Sequence, residues 1–132
     1  MMNNGANRLR LHALWHFIGV ILVAYIIYVT LTPNPMPMPG RWTDKLYHFA
    51  GYFVVTAWYL QFVQQRYCVV VSGIVLGIAL ECAQLFVETR TFDWADMAVN
   101  IVGVIVAMSI IRGALAKVLS VIESRIFLQM SK

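Results

Sequence analysis

The chain has 132 residues, of which 61% are hydrophobic and only 12% are charged. An average soluble domain is about half apolar and about a quarter charged, so this composition excludes disorder and argues against a soluble globule. We therefore expect an integral membrane protein built as one domain over residues 1–132. The net charge is +4. Because the basic residues lie mostly outside the apolar runs, we interpret them as signals of membrane orientation rather than as a nucleic-acid-binding surface.

Four apolar runs are each close to the roughly 20 residues that cross a hydrocarbon core. They cover residues 13–31, 46–63, 68–87 and 97 to about 115. Backbone groups in lipid are satisfied only within helices or closed barrels, and no period-two alternation is present. The sequence thus predicts an all-α bundle of four transmembrane helices. The first run is too long for a signal-peptide core, so we expect it to be kept as a helix.

A shorter helix is expected after the fourth run. Its apolar residues recur at helical spacing, and polar residues stand between them. The apolar set is Leu115, Val118, Leu119, Ile122 and Ile126, and the polar set is Lys117, Ser120, Ser124 and Arg125. This pattern predicts a C-terminal amphipathic helix lying on the membrane surface.

Lysine and arginine residues predict the orientation, because cytoplasmic loops carry an excess of them. In a four-span arrangement, seven of the ten fall on the side of both termini. The seven are Arg8, Arg10, Arg66, Arg112, Lys117, Arg125 and Lys132, and the other three are Arg41, Lys45 and Arg90. We expect both termini in the cytoplasm, with the proline-rich loop 32–45 and the charged loop 88–96 facing outward.

Most polar residues near the runs fall on that outward side. They are Asp44, Lys45, His48, Tyr52, Glu81, Gln84, Arg90, Asp93, Asp96 and Asn100. A carboxylate within a span costs on the order of 3 kcal/mol on insertion scales, so we expect Glu81 to face the bundle interior. Gly73 and Gly77 precede it at the same four-residue spacing and indicate close helix packing. The common depth of these residues predicts one polar site.

Structural roles for the same residues stay open. The polar groups would then form an ion-pair network that holds four short helices together. These roles are helix caps or starts for Asp44, Asp93 and Asp96, anchors for Lys45 and Arg90, interhelical hydrogen bonds for Gln84 and Asn100, and an aromatic belt for Tyr52.

The order of these residues resembles the VanZ-like family of small bacterial membrane proteins. The second run carries D-K-x-x-H-F-x-x-Y at residues 44–52, and the third carries G-x-x-x-E-x-x-Q-x-F at residues 77–86. After Arg90, the fourth begins with D-x-x-x-N-x-x-G at residues 96–103. The resemblance covers about residues 44–107, and it departs from the family at Ala107, where glycine is frequent.

The resemblance implies a multi-pass protein of the bacterial cytoplasmic (inner) membrane with a role in the cell envelope. The founding member of the family is associated with resistance to teicoplanin, a lipoglycopeptide antibiotic that acts on the outer face. For the wider family, the resemblance implies binding or processing of lipid head groups. A polar site at outer head-group depth agrees with that location, although fold membership alone does not establish chemistry.

Two functions remain open. The first is an enzyme that acts on a phosphate-bearing lipid or a lipid-linked envelope precursor, with His48 as general base or nucleophile. The expected catalytic residues are His48, Glu81, Asp96 and Asp44. The expected substrate-binding residues are Arg90, Lys45, Gln84, Asn100, Tyr52 and Asp93. The second function is non-catalytic binding of lipid or antibiotic, or stabilisation of the envelope.

The sequence leaves the cofactor unknown. No ligand spacing is diagnostic of a metal, so no metal residue is assigned, while a divalent cation held by the carboxylates stays open. The expected partner is a membrane lipid or lipid-linked substrate and not nucleic acid, and the oligomeric state is undetermined. We expect Arg90 to pair with the carboxylates, because a guanidinium can span two of them.

Overall fold

The computed structural model describes residues 10–34, 40–113 and 115–130, with the side chain of Arg41 left out. Over these ranges the chain forms helices and turns and no strand, which confirms the all-α prediction. The five α-helices are α1 (His12–Leu31), α2 (Arg41–Tyr59), α3 (Arg66–Ala83), α4 (Trp94–Ile110) and α5 (Val118–Met130). Two short 3-10 helices cover Gln84–Phe86 and Leu115–Lys117. The proline-rich loop and both chain ends lie partly outside the described residues.

Helices α2 and α4 begin earlier than their apolar runs. Helix α2 starts at Arg41, directly after Gly40, whose φ of 95° is a conformation that favours glycine. Helix α4 starts at Trp94, and Asp93 caps it because its side chain accepts a 2.8 Å hydrogen bond from the Ala95 N–H. The polar residues that precede each apolar run are therefore held on helices or at a cap.

Successive helices of the bundle run in opposite directions. At one end, Lys45 near the start of α2 contacts Asp96 near the start of α4. At the other end, the Trp58 indole N–H near the end of α2 donates to the Trp15 carbonyl near the start of α1. We call the first the ionic end, defined by Lys45, Glu81, Arg90, Asp93 and Asp96. We call the second the aromatic end, defined by His12, Trp15, His16, Trp58 and Phe62.

The core brings α2, α3 and α4 together below the ionic end. Val104 is fully buried, and it belongs to an apolar cluster that includes Tyr52 and Leu80. A Cβ on Gly103 would lie 2.7 Å from the Phe49 carbonyl oxygen, so α4 approaches the backbone of α2 as closely as glycine permits. Gly77 of α3 likewise faces Tyr52 and α4. The close packing that the glycine spacing predicts is therefore present.

Two helical segments are long and apolar enough to cross a membrane. They are His12–Leu31 and Arg66–Phe86. A third is added if Trp94–Ile110 and Leu115–Met130, which are bent by 91°, form one span. The prediction of a membrane protein thus agrees with the apolar helices, but length and composition do not confirm four spans, because polar residues lower the hydropathy of α2.

Helix α5 forms where the sequence predicts a helix. Leu119 of the predicted apolar stripe is buried against Trp15, whereas Ile122 and Ile126 of the same stripe are exposed. The Glu123 carboxylate, outside the stripe, accepts a hydrogen bond from the Leu11 N–H at the start of α1. The location of α5 on a membrane surface stays a prediction.

Candidate functional site

Lys45 joins the first turns of α2 and α4. Its ammonium donates to Asp96 Oδ1 at 2.6 Å and to Asp93 Oδ2 at 3.0 Å, and 18% of the side chain is exposed. Lys45 stands just before the apolar part of α2, where the hydrogen bond with Asp96 raises its pKa against the lowering effect of burial. The lysine is therefore the charged partner of both aspartates.

His48 lies one turn further along α2 and contacts Asn100 of α4. Its Nδ1 is 3.1 Å from Asn100 Oδ1. With the amide oxygen assigned to face the ring, Nδ1 carries the proton and donates, so Nε2 keeps its lone pair. Nε2 is 4.0 Å from Asp44 Oδ1, and the Asp44 side chain is 41% exposed. One ring nitrogen is thus fixed by the bundle, while the other faces a carboxylate at a partly open edge.

Glu81 is fully buried where α3 meets the loop before α4. Its Oε1 accepts a 2.9 Å hydrogen bond from the Asp93 N–H, whereas Oε2 has no hydrogen-bond partner among the described residues. Its carboxylate lies close enough to interact electrostatically with His48 and Asp96. The buried Tyr52 hydroxyl also has no hydrogen-bond partner among the described residues, although it interacts electrostatically with Glu81. Such groups are rare in native proteins and indicate a functional role or an additional partner.

Arg90 performs a different task from the expected one. Its Nη2 donates to the Val29 carbonyl at 2.7 Å and its Nε donates to the Thr32 carbonyl at 3.2 Å. These carbonyls belong to the end of α1, where four carbonyls have no partner within the helix. Within the described residues Arg90 has no salt bridge, so its expected pairing with the carboxylates is wrong. Lys45 is the cation that pairs with them.

Gln84 also binds α1. Its side-chain N–H donates to the Thr30 carbonyl at 3.2 Å, and the side chain is buried. This contact matches the interhelical alternative that the sequence left open, and the substrate-binding role of Gln84 stays a prediction. Asp93 likewise matches the helix-start alternative, because it caps α4. Asp44 does not cap α2, since Gly40 occupies that position.

The structure brings together most of the predicted site residues. Helices α2 and α4 supply most of them, and α3 supplies Glu81. The sequence assigned Asp44, His48 and Asp96 to catalysis and not to a metal, and the structure places their potential ligand atoms within 4.8 Å of one another. The four-residue spacing of Asp44 and His48 signals part of this group, but the contribution of Asp96 depends on helix packing.

The family model described as VanZ/LLP1 matches residues 36–117, which is more than half of the chain and includes the five residues that define the ionic end. The chain belongs to the VanZ/LLP1 family. The predicted VanZ-like resemblance is thus confirmed. The roles of individual VanZ/LLP1 site residues stay predictions, since a family match identifies ancestry rather than chemistry.

A relative of this VanZ/LLP1 chain occurs in a eukaryote. An uncharacterized protein from Schizosaccharomyces pombe is 28% identical over 95 residues, which cover 67% of this chain and 55% of that protein. The chain therefore spans about half the length of that relative. The yeast relative does not support the expectation of an exclusively bacterial resemblance. No solved structure matches the chain.

Proposed function

We propose that all four long helices cross a membrane. The segments of α1 and α3 are each long and apolar enough to span it, and their C-terminal ends meet through the Gln84 contact with Thr30. Because α1 and α3 cross in the same direction, the chain must return between them, and α2 is the helix that makes this return. Its charged residues and His48 are confined to about the first two turns. Helix α4 runs beside α2 in the same direction and completes the fourth crossing.

The aromatic end lies on the cytoplasmic side in this proposal, together with both termini. Arg66, Arg112 and Lys117 support this assignment, because basic residues are enriched in cytoplasmic loops. Helix α5 lies across that end on the membrane surface. The 91° bend between α4 and the following helical segment supports this arrangement.

Cysteine labelling tests the topology. In a Cys68→Ser/Cys82→Ser background, Thr91→Cys adds a thiol to an exposed loop at the ionic end, and Gln64→Cys adds one to an exposed link at the aromatic end. A membrane-impermeant maleimide should label position 91 in intact cells and position 64 only after permeabilisation. Labelling of both positions in intact cells, or the reverse order, would contradict the proposal.

The ionic end then lies at the depth of lipid head groups. Exposed apolar residues cover the outer faces of the helices below it and fit the acyl chains of lipids. The function that this arrangement supports best is the processing of a phosphate-bearing lipid or a lipid-linked precursor. Lys45 provides N–H donors for a phosphate oxygen at the rim of the site.

His48 carries this proposal. Because Asn100 accepts from Nδ1, the unprotonated Nε2 is available as a general base at the open edge beside Asp44. Nε2 would take a proton from a water molecule as the water oxygen attacks the head-group phosphorus. Asp44 would stabilise the resulting imidazolium. The bond between phosphorus and the alcohol oxygen would then break, and the imidazolium would return its proton to that leaving oxygen. Glu81 lies on the buried side of the site, where it interacts electrostatically with His48.

Lipid turnover by the purified protein tests this function. The protein is incorporated into nanodiscs that contain phosphatidic acid or phosphatidylglycerol, and released phosphate or glycerol products are measured by mass spectrometry. His48→Ala should abolish turnover, typically a loss of about 10²–10⁴-fold for a general base. His16→Ala is the matched control, because it removes a histidine from the aromatic end.

A non-catalytic binding protein is the alternative outcome. In that case neither the wild type nor any variant releases a product, while binding of lipid or lipoglycopeptide still depends on the residues of the ionic end. Turnover that is equal in the wild type and His48→Ala would contradict the role of His48. Intact folding of both variants is checked by circular dichroism in the same detergent.

A further inference from the structure

We propose that Asp44, His48 and Asp96 bind a divalent metal cation at the ionic end. One atom from each side chain can serve as a ligand, and these three atoms lie within 4.8 Å of one another. An imidazole nitrogen combined with two carboxylate oxygens is a ligand set that suits Zn²⁺ or Mn²⁺. This proposal does not depend on lipid turnover, and His48 Nε2 can bind the cation or act as the general base, but not both at once.

The helices hold the three ligands in position. Asp44 and His48 are four residues apart on α2 and therefore share one helix face. Asp96 comes from α4, whose backbone approaches α2 most closely at Gly103. Ligand atoms in a tetrahedral site are about 3.4 Å apart when each bond is about 2.1 Å long. The three side chains would therefore rotate toward one another when a cation binds.

Asn100 prepares His48 for a metal. Histidine ligands almost always donate their second ring N–H to a neighbouring oxygen, which fixes the ring and its tautomer. Here His48 Nδ1 lies 3.1 Å from Asn100 Oδ1, and in the neutral ring that donates from Nδ1, Nε2 faces Asp44 with a lone pair. Asp96 has two carboxylate oxygens, and one can bind the cation while the other stays bonded to Lys45.

The charge balance of the ionic end also favours a cation. Among the described side chains, Asp44 and Asp96 lie near one ammonium, that of Lys45, while Arg90 is bonded to neutral carbonyls. Unpaired charge in a partly buried site is costly. Glu81 adds a second, independent indication, because it is fully buried, has an unpartnered Oε2 and interacts electrostatically with His48 and Asp96. A dication would balance this excess of negative charge.

A metal titration tests the proposal in a background that lacks the other histidines. The rings of His12 and His16 are 4.6 Å apart at the aromatic end and could bind Zn²⁺ adventitiously, so both are first changed to alanine. This His12→Ala/His16→Ala protein, purified in detergent and stripped with a chelator, is titrated with Zn²⁺ by calorimetry and with Mn²⁺ by electron paramagnetic resonance. About one ion per chain should bind.

Three variants in the same background locate the ion. Asp44→Asn and His48→Gln should each weaken binding by more than the 10–100-fold that is typical of an outer-shell change. Asn100→Ala should weaken it within that range. Glu88→Gln is the matched control, because Glu88 is an exposed carboxylate outside the group, and it should bind as tightly as the background protein.

The thermal stability of the same proteins separates a lost site from a lost fold. Saturating Zn²⁺ should raise the unfolding temperature of the background protein and not that of His48→Gln. No ion per chain, or equal affinity after Asp44→Asn and His48→Gln in folded protein, would overturn the proposal. Binding without lipid turnover would overturn the proposed function alone, and turnover that is unchanged by a chelator would leave that function intact without the metal site.

Discussion

The ionic end and the aromatic end are built from the same four helices, yet they are joined by different chemistry. At the aromatic end, Trp15 and Trp58 meet edge to face with ring centroids 5.8 Å apart, and α5 packs over Trp15 through Leu119. At the ionic end, Lys45 bridges two aspartates between α2 and α4. Packed aromatic rings cover the aromatic end, whereas the ionic end retains partly exposed polar groups.

One feature is common to both ends. Arg66 donates to the Met108 and Ile111 carbonyls at the end of α4, as Arg90 does to carbonyls at the end of α1. Helix C-termini leave carbonyls without partners, and in a membrane water cannot supply them. The comparison teaches that the arginines bind the ends of helices rather than the carboxylates of the ionic end. A bound cation is the proposed partner of Asp44 and Asp96.

The largest effect is expected from a change that separates the helices along the whole interface. Gly103→Ala places a Cβ 2.7 Å from the Phe49 carbonyl oxygen, a backbone atom that cannot rotate away. We expect a loss of about 3 kcal/mol, at the upper end for overpacking. Thermal unfolding in matched detergent measures this loss of stability, which we expect to affect both ends of the bundle.

Gly73→Ala is the control for that change. Its Cβ would meet side-chain atoms of Val104 and Thr56 at 3.1 and 3.3 Å, which can shift. Alanine also has a better helix propensity than glycine, by about 1 kcal/mol, so the net change should be small. Equal destabilisation by the two substitutions would show that the α2–α4 approach is not the tight one.

Lys45→Met should affect the ionic end next most strongly. It leaves Asp93 and Asp96 without their cation, and the partial exposure of the pair lowers the cost to about 2 kcal/mol, below that of a fully buried pair. Adding Asp96→Asn should restore part of the loss. Lys117→Met, at an exposed position beyond the aromatic end, should change stability by less than about 0.5 kcal/mol. Equal unfolding temperatures for the two lysine variants would refute the bridging role.

The two arginines should differ in their tolerance of lysine. Arg90 uses two nitrogens, Nε and Nη2, whereas Arg66 reaches both of its carbonyls through Nη2 alone. A lysine presents one nitrogen, so Arg90→Lys should cost about 1–2 kcal/mol and Arg66→Lys less. Unfolding measurements on both proteins compare them directly, and a larger loss for Arg66→Lys would reverse this interpretation.

Trp58→Phe should have the smallest effect. It keeps an aromatic ring against Trp15 but removes the indole N–H that donates to the Trp15 carbonyl at 3.0 Å. We expect a loss of about 0.5–1 kcal/mol. The control is Trp42→Phe, since Trp42 is 86% exposed on α2 near the ionic end. A null result for Trp58→Phe would leave ring packing as the sole contribution of that side chain.

Much of this protein could be predicted from its sequence. The apolar composition requires helices in lipid, and the spacing of Gly73, Gly77 and Glu81 predicts that Glu81 faces the bundle. Asp44 and His48 share a helix face because of their four-residue spacing, which holds for any α-helix. The order of these residues was also sufficient to predict the VanZ-like resemblance. These properties follow from local geometry and from the cost of exposing polar groups to lipid.

The partners of the charged groups were decided only by the tertiary structure. The two-pronged geometry of a guanidinium favoured Arg90 as the partner of the carboxylates, yet the packing of α2 against α4 places Lys45 beside Asp96. Arg90 binds the end of α1 instead, because the carbonyls at that end lie within reach of the loop after α3. Contacts between residues about 50 positions apart depend on helix register and approach, which the period of a single helix does not encode.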